Sequence, residues 1–152
     1  MKKIIKLILV VLWMGVIFTF SSDNADTSTS KSDGVIISIY KTFHKGNLTN
    51  KERQEVIDKY VFPVRKIAHF TEYLILGLLL ISFINEYKKL ELKYLLIGIL
   101  LCMLYAVSDE IHQIFISGRT AKILDVFIDT LGSSTGIFLY KLVKVKLFNV
   151  KE

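Results

Sequence analysis

"RKIAHFTEYLILGLLLISFI", residues Arg65 to Ile84, sets a cluster of ionisable side chains against a long apolar run. From Leu74 onward the run is almost free of polar groups, the composition of a helix surrounded by lipid. Arg65, Lys66, His69 and Glu72 stand at its mouth. A plain membrane anchor needs at most a basic pair in that place, so the histidine and the glutamate call for another reason.

Working outward, a bilayer core about 30 Å thick takes roughly 20 mostly apolar helical residues. Four stretches have that character, at about residues 4–20, 64–84, 92–116 and 123–142. The chain has 152 residues, 52% of them hydrophobic, and a mean hydropathy of +0.47. It reads as an all-α integral membrane protein, a four-transmembrane-helix bundle forming a single domain over residues 1–152. The first span begins like a signal peptide, but no small-x-small cleavage site follows closely, and it reads as an uncleaved helix. Cys102 has no second cysteine to pair with and reads as a small hydrophobe within the third span.

The net charge of +6 sits in the flanks of the spans, which points to membrane anchoring and topology rather than to nucleic acid. Lys2, Lys3 and Lys6, then Lys88, Lys89 and Lys93, then Lys141, Lys144, Lys146 and Lys151 fall on one side of a four-span chain. The positive-inside tendency makes that side, and both termini, cytoplasmic. The segment 21–63 is then extracytoplasmic. Within it "SSDNADTSTSKSDG" reads as a polar linker, and Ile36, Ile39, Tyr40 and Phe43 share a helical face. Thr49 and Glu52 have capping-box spacing for a short helix over "KERQEVIDKY", which Pro63 is expected to end. Short helices between the first and second spans would lie in the membrane interface or cover the outer end of the bundle.

With this topology, the unusual polar residues gather at one end. Arg65, Lys66, His69 and Glu72 open the second span, and Asp109, Glu110, His112 and Gln113 close the third. Arg119, Lys122, Asp125 and Asp129 lead into the fourth, and Ser21 and Ser22 close the first. At about 1.5 Å per residue, His69 and Glu72 lie roughly 7 and 12 Å below the start of the second span, and Asp129 about 9 Å below that of the fourth. Asp109 and Glu110 lie about 10 Å below the end of the third. Helical spacing puts His69 on the face of Arg65 and Glu72, Asp109 on that of His112, and Asp125 on that of Asp129. Gly132 and Gly136 continue the last of these faces as a small-residue ridge for close helix contact. Ionisable groups at such depth are costly unless paired or hydrated, and they mark a site. Pairing of Arg65 or Arg119 with Asp125 or Asp129 merely to lock helices is the plainer alternative.

The N-termini of the second and fourth helices are expected to face this slab, and with Arg65, Lys66, Arg119 and Lys122 they favour an anion. A phosphate-bearing lipid headgroup suits the depth. His69, Glu72, Asp109, Glu110, Asp125 and Asp129 could orient the ligand, hold a divalent metal, or serve as general acid and base. His69, Asp109, Glu110 and His112 are the catalytic candidates. No HExxH motif, cysteine pair or Walker loop occurs. The inner halves of the spans, such as "YLLIGILL", offer no polar path for ion transport.

The ordered set "FSS", "RKIAHFTEYLILGLLL" and "YAVSDEIHQIFISGRTAKILDVFIDTLGSSTG" resembles the VanZ-like family of bacterial membrane proteins. The resemblance runs from Phe20 to Gly136 and maps the family pattern onto Lys66, His69, Tyr73, Asp109, Glu110, Gln113, Arg119, Asp125 and Gly132. Three positions depart from it: Ser117 where proline commonly precedes Gly-Arg, Asp23 where glutamine often follows the serine pair, and Asp129 where asparagine is common. The resemblance implies a multi-pass protein of the bacterial cytoplasmic membrane, linked through the founding member to low-level resistance to glycopeptides such as teicoplanin. It implies no settled mechanism. Two functions remain open: a cell-envelope protein whose outer-leaflet site binds an anionic lipid, a lipid-linked cell-wall precursor or a glycopeptide, and a metal-dependent hydrolase or transferase acting on a phosphoryl lipid.

Overall fold

The computed structural model describes residues 1–44 and 48–149, with only the backbone of 147–149; Lys151 lies outside these. The described residues form five helices and no strand: α1 (Lys2–Ser21), α2 (Ala25–Phe43), α3 (Asn50–Ile84), α4 (Leu92–Ile114) and α5 (Ile123–Asn149). Helices α1, α3, α4 and α5 are long and apolar enough to cross a membrane. Many of their large apolar residues, among them Ile4, Leu12, Leu96, Leu104, Phe138 and Leu142, face outward. A water-soluble core would bury that surface, whereas a lipid solvent does not require it.

Helix α3 packs against every other helix, most extensively against α5. Their contact is a seam of small residues. A Cβ at Gly132 would run into the Phe70 carbonyl, one at Gly136 into the Leu74 carbonyl, and one at Gly77 into the Ser133 carbonyl. Only glycine lets the two backbones come this near, so the ridge expected at Gly132 and Gly136 is present and Gly77 answers it from the facing helix. Around the seam, Ile17, Tyr73, Leu76, Cys102 and Ala106 make one buried cluster, and Ile81, Leu95 and Ile137 a second.

Two expectations about the segment between the first two spans are corrected, and one about the end of the third span. The polar stretch after Ser22 is no linker but the first half of α2, a helix of 19 residues started by the Asn24 side chain, which accepts from the Thr27 N–H at 2.8 Å. The Thr49–Glu52 capping box forms as the spacing predicts, with Glu52 accepting from the Thr49 N–H at 2.8 Å. The helix it starts is not short, however. It continues through Pro63 into the second span, 35 residues in all. Proline removes one backbone donor, and packing of α2 along this part of α3, with Ile57 and Ile36 buried between them, outweighs that loss. Finally, α4 stops at Ile114, short of the expected Ile116.

Candidate functional site

Ser21 at the end of α1, the middle of α3, the last turns of α4 and the start of α5 meet at one end of the bundle, as the sequence suggested. The connection between α4 and α5 turns at Gly118, whose φ of 74° is the left-handed conformation that favours glycine. That turn is tied to α2: the Ala25 N–H donates to the Ser117 carbonyl at 3.2 Å, and a Cβ on Gly118 would press on that of Ala25.

Two cavities open here. The first, about 270 Å³, lies among α1, α2, α3 and the α4–α5 turn, and Ser21, Asp23, Ser28, Lys31, Ser32, Arg65, His69, Glu72 and Arg119 supply its polar wall. The second, about 220 Å³, lies between α3, the same turn and α5, with Arg65, Lys66, His69, Gln113, Arg119, Lys122 and Asp125 around it. Arg65, His69 and Arg119 are common to both. Lys66 forms an ion pair with buried Asp125, and Lys31 with Asp23 at 2.5 Å. Among the described residues neither arginine has a carboxylate partner. Arg119 makes one long bond, from Nη2 to the Phe20 carbonyl at 3.4 Å, and its buried Nε has no partner. Burial, and then the charge of Arg65, push its guanidinium below its ordinary pKa; that like charge acts on it more strongly than any single acid.

Beneath the cavities the acids are buried and incompletely satisfied. Ser21 Oγ donates to Asp109 Oδ2 at 2.7 Å, and Gln113 Nε2 donates to Ser21 Oγ at 2.9 Å. Asp109 Oδ1 is left without a partner. Asp129 is fully buried, and neither of its oxygens is hydrogen-bonded; His69 Nδ1 is 3.4 Å away but out of line for a bond. The Tyr73 hydroxyl is also buried and unpartnered. Native proteins leave few such atoms, and several in one place mark somewhere water or a ligand completes the bonding.

The two helix N-termini expected to face an anion do not. That of α3 is at Asn50, far up the helix from Arg65. At α5, Glu110 Oε2 accepts from the Lys122 N–H at 2.7 Å, so the protein's own carboxylate takes the place of the anion. The start of α2 gives its N–H groups to Asn24 and Ser117. Attraction of an anion to the cavities therefore rests on the cationic side chains. His112 lies on neither cavity; its ring stacks on Phe18 at 4.4 Å, with Nε2 3.1 Å from Ser22 Oγ. Gly132 belongs to the α3–α5 seam. As for a divalent metal, no three His, Cys, Asp or Glu side chains among the described residues gather in a group that could hold one. The α2 residues Ser28, Lys31, Ser32 and Val35 line the first cavity and were missed by reading this segment as a linker. Asn24 as an N-cap was the available signal.

A helical chain with four candidate membrane spans and a buried cluster of ionisable groups at one end is consistent with a multi-pass membrane protein. The family profile of VanZ/LLP1 matches residues 6–144, nearly the whole chain, and the protein belongs to the VanZ/LLP1 family. No curated protein and no solved structure matches it.

Proposed function

We propose that this is a protein of the bacterial cytoplasmic membrane, with both termini cytoplasmic, whose polar end binds an anionic lipid or lipid-linked cell-wall ligand in the outer leaflet. One observation carries the reading: Arg65 and Arg119, from different elements, border the same two cavities and make no ion pair, while Asp23 and Asp125 on the cavity walls are held by Lys31 and Lys66. A phosphoryl group between them would accept from both guanidinium forks and relieve their mutual repulsion. Lys66 and Lys122 border the second cavity only, and Asp125 already holds Lys66. The buried acids and Gln113 shape the floor, with Asp109 held by Ser21 and Asp125 by Lys66.

Through its family this binding would act on susceptibility to teicoplanin-type glycopeptides. A metal-dependent hydrolase or transferase draws no support from the side-chain arrangement, since the acids are spread among separate partners.

Native mass spectrometry of the protein released from nanodiscs tests the reading. Wild type is expected to carry an anionic lipid that Arg119→Ala loses, at equal protein yield. Expression of wild type, and not of Arg119→Ala, should raise the teicoplanin concentration needed to inhibit growth. Identical lipid occupancy in both proteins would refute the site.

A further inference from the structure

A third cavity, about 280 Å³, lies between α2 and α3 and is lined by Ile36, Ile39, Tyr40, Phe43, His44, Tyr60 and Val64. Its walls are the two apolar stripes of these helices. Ile36, Ile39, Tyr40 and Phe43 recur at helical spacing on α2, and Tyr60 and Val64 stand one turn apart on α3. Exposure rises along the α2 stripe, from 3% at Ile36 to 51% at Ile39 and 79% at Phe43. At its buried end the groove adjoins the first arginine cavity. Val64 lines both, and Val35, on the wall of the arginine cavity, immediately precedes Ile36 in the groove. A cation-walled chamber thus lies beside an apolar groove, with Val64 on the wall of both, and their volumes together fall in the range of roughly 300–1,000 Å³ usual for small-molecule sites.

Building on the anion reading above, we infer that the ligand is a single amphiphile, a phosphoryl group on an alkyl or prenyl chain. Its phosphoryl group sits between Arg65 and Arg119, and the first part of its chain lies in the α2–α3 groove. The direction of the chain follows from α3. Tyr60 and Val64 precede Arg65, His69 and Glu72 in the helix, so the groove lies on the side of the cavity away from the centre of the bundle. The chain is therefore held along α2 instead of passing down among the spans. Free phosphate would use the arginines alone and leave the groove without a part in recognition. Each methylene that the groove shields from water multiplies affinity roughly fourfold.

Inorganic phosphate and dodecyl phosphate separate the two parts of the site. Each is titrated calorimetrically against the full-length protein in zwitterionic nanodiscs, with empty nanodiscs subtracted. Dodecyl phosphate should bind wild type at least tenfold more tightly than phosphate. Ile39→Trp, which fills the groove and lies outside the arginine cavity, should weaken dodecyl phosphate at least tenfold and leave phosphate unchanged, while Arg119→Ala should weaken both. Ile39→Ser, which removes apolar wall without adding bulk, should act in the same direction as Ile39→Trp and serves if the tryptophan variant does not fold. Should the groove variants leave dodecyl phosphate binding intact while Arg119→Ala weakens it, the chain is not in the groove and the inference is overturned with the anion site standing. Insensitivity of both probes to Arg119→Ala would overturn the anion site and this inference with it.

Discussion

At the Lys6 end of the bundle, the Lys6 ammonium pairs with Glu86 and donates to the Ser82 carbonyl at 3.2 Å, and the Lys3 ammonium lies 4.3 Å from the centre of the Tyr87 ring. These groups sit on connections and helix ends and find partners within the chain. At the Arg119 end, two arginines have no acid partner and five acceptor atoms of Tyr73, Asp109, Glu110 and Asp129 are buried without a hydrogen bond. Both ends carry charge, but only one carries charge that its own fold leaves incomplete. Folding alone favours the first arrangement. The second is the arrangement the proposed ligand site would require.

The largest effect tests what joins the ends. Gly132→Leu should drive a side chain into the Phe70 carbonyl and part α3 from α5. No monodisperse protein is expected by size-exclusion chromatography. Gly15→Leu, at a position where an added Cβ meets nothing within 4 Å, should purify like wild type.

Next in size is the contrast between cations. Arg65→Ala should lower dodecyl phosphate affinity at least tenfold, whereas Lys6→Ala should leave it unchanged. Equal losses from both would erase the difference between the ends and favour general surface attraction.

A smaller change, of opposite sign, is expected for stability. Asp129→Asn removes a buried carboxylate that has no hydrogen bond, and should raise the melting temperature by about 3 °C while weakening the ligand complex. A lower melting temperature would mean that the contact with His69 is a structural lock. Smallest is the pH response of the Lys6 end. The hydrogen bond from Lys6 holds the Glu86 carboxyl below its ordinary pKa. Its contribution is therefore present above the unfolded glutamate pKa and is lost as pH falls through the depressed native value. Thermal melts across this window should show a slight acid slope that Lys6→Ala removes; an unchanged slope would assign it to other groups.

Much of this division was legible in the sequence. The four spans follow from apolar length, and the gathering of His69, Asp109, Arg119 and Asp129 follows from alternating helix direction. The Thr49 cap and the Gly132–Gly136 ridge are local patterns that survive folding. What was hidden depends on partners distant in the chain. Pro63 normally ends a helix, and only the packing of α2 on α3 shows why this one continues. The Asp109–Ser21–Gln113 chain of hydrogen bonds joins Ser21 to residues 88 and 92 positions away, which no spacing rule reaches. Glu110 has the pattern of a ligand acid, yet one of its oxygens caps α5. Gly77 lies in a uniformly apolar run, where nothing distinguishes a contact glycine from an incidental one.

Helix α3 carries the apolar groove at Tyr60 and Val64, the cavity wall at Arg65 and His69, and the seam at Phe70, Leu74 and Gly77. All three are therefore keyed to a single shaft. Inserting one residue after Phe70 would turn everything beyond it by about 100° and advance it by about 1.5 Å, turning Gly77 away from Ser133 while Arg65 stayed in place. Length changes should be tolerated in the connection between α3 and α4, whereas within α3 even a whole added turn would restore direction but not distance.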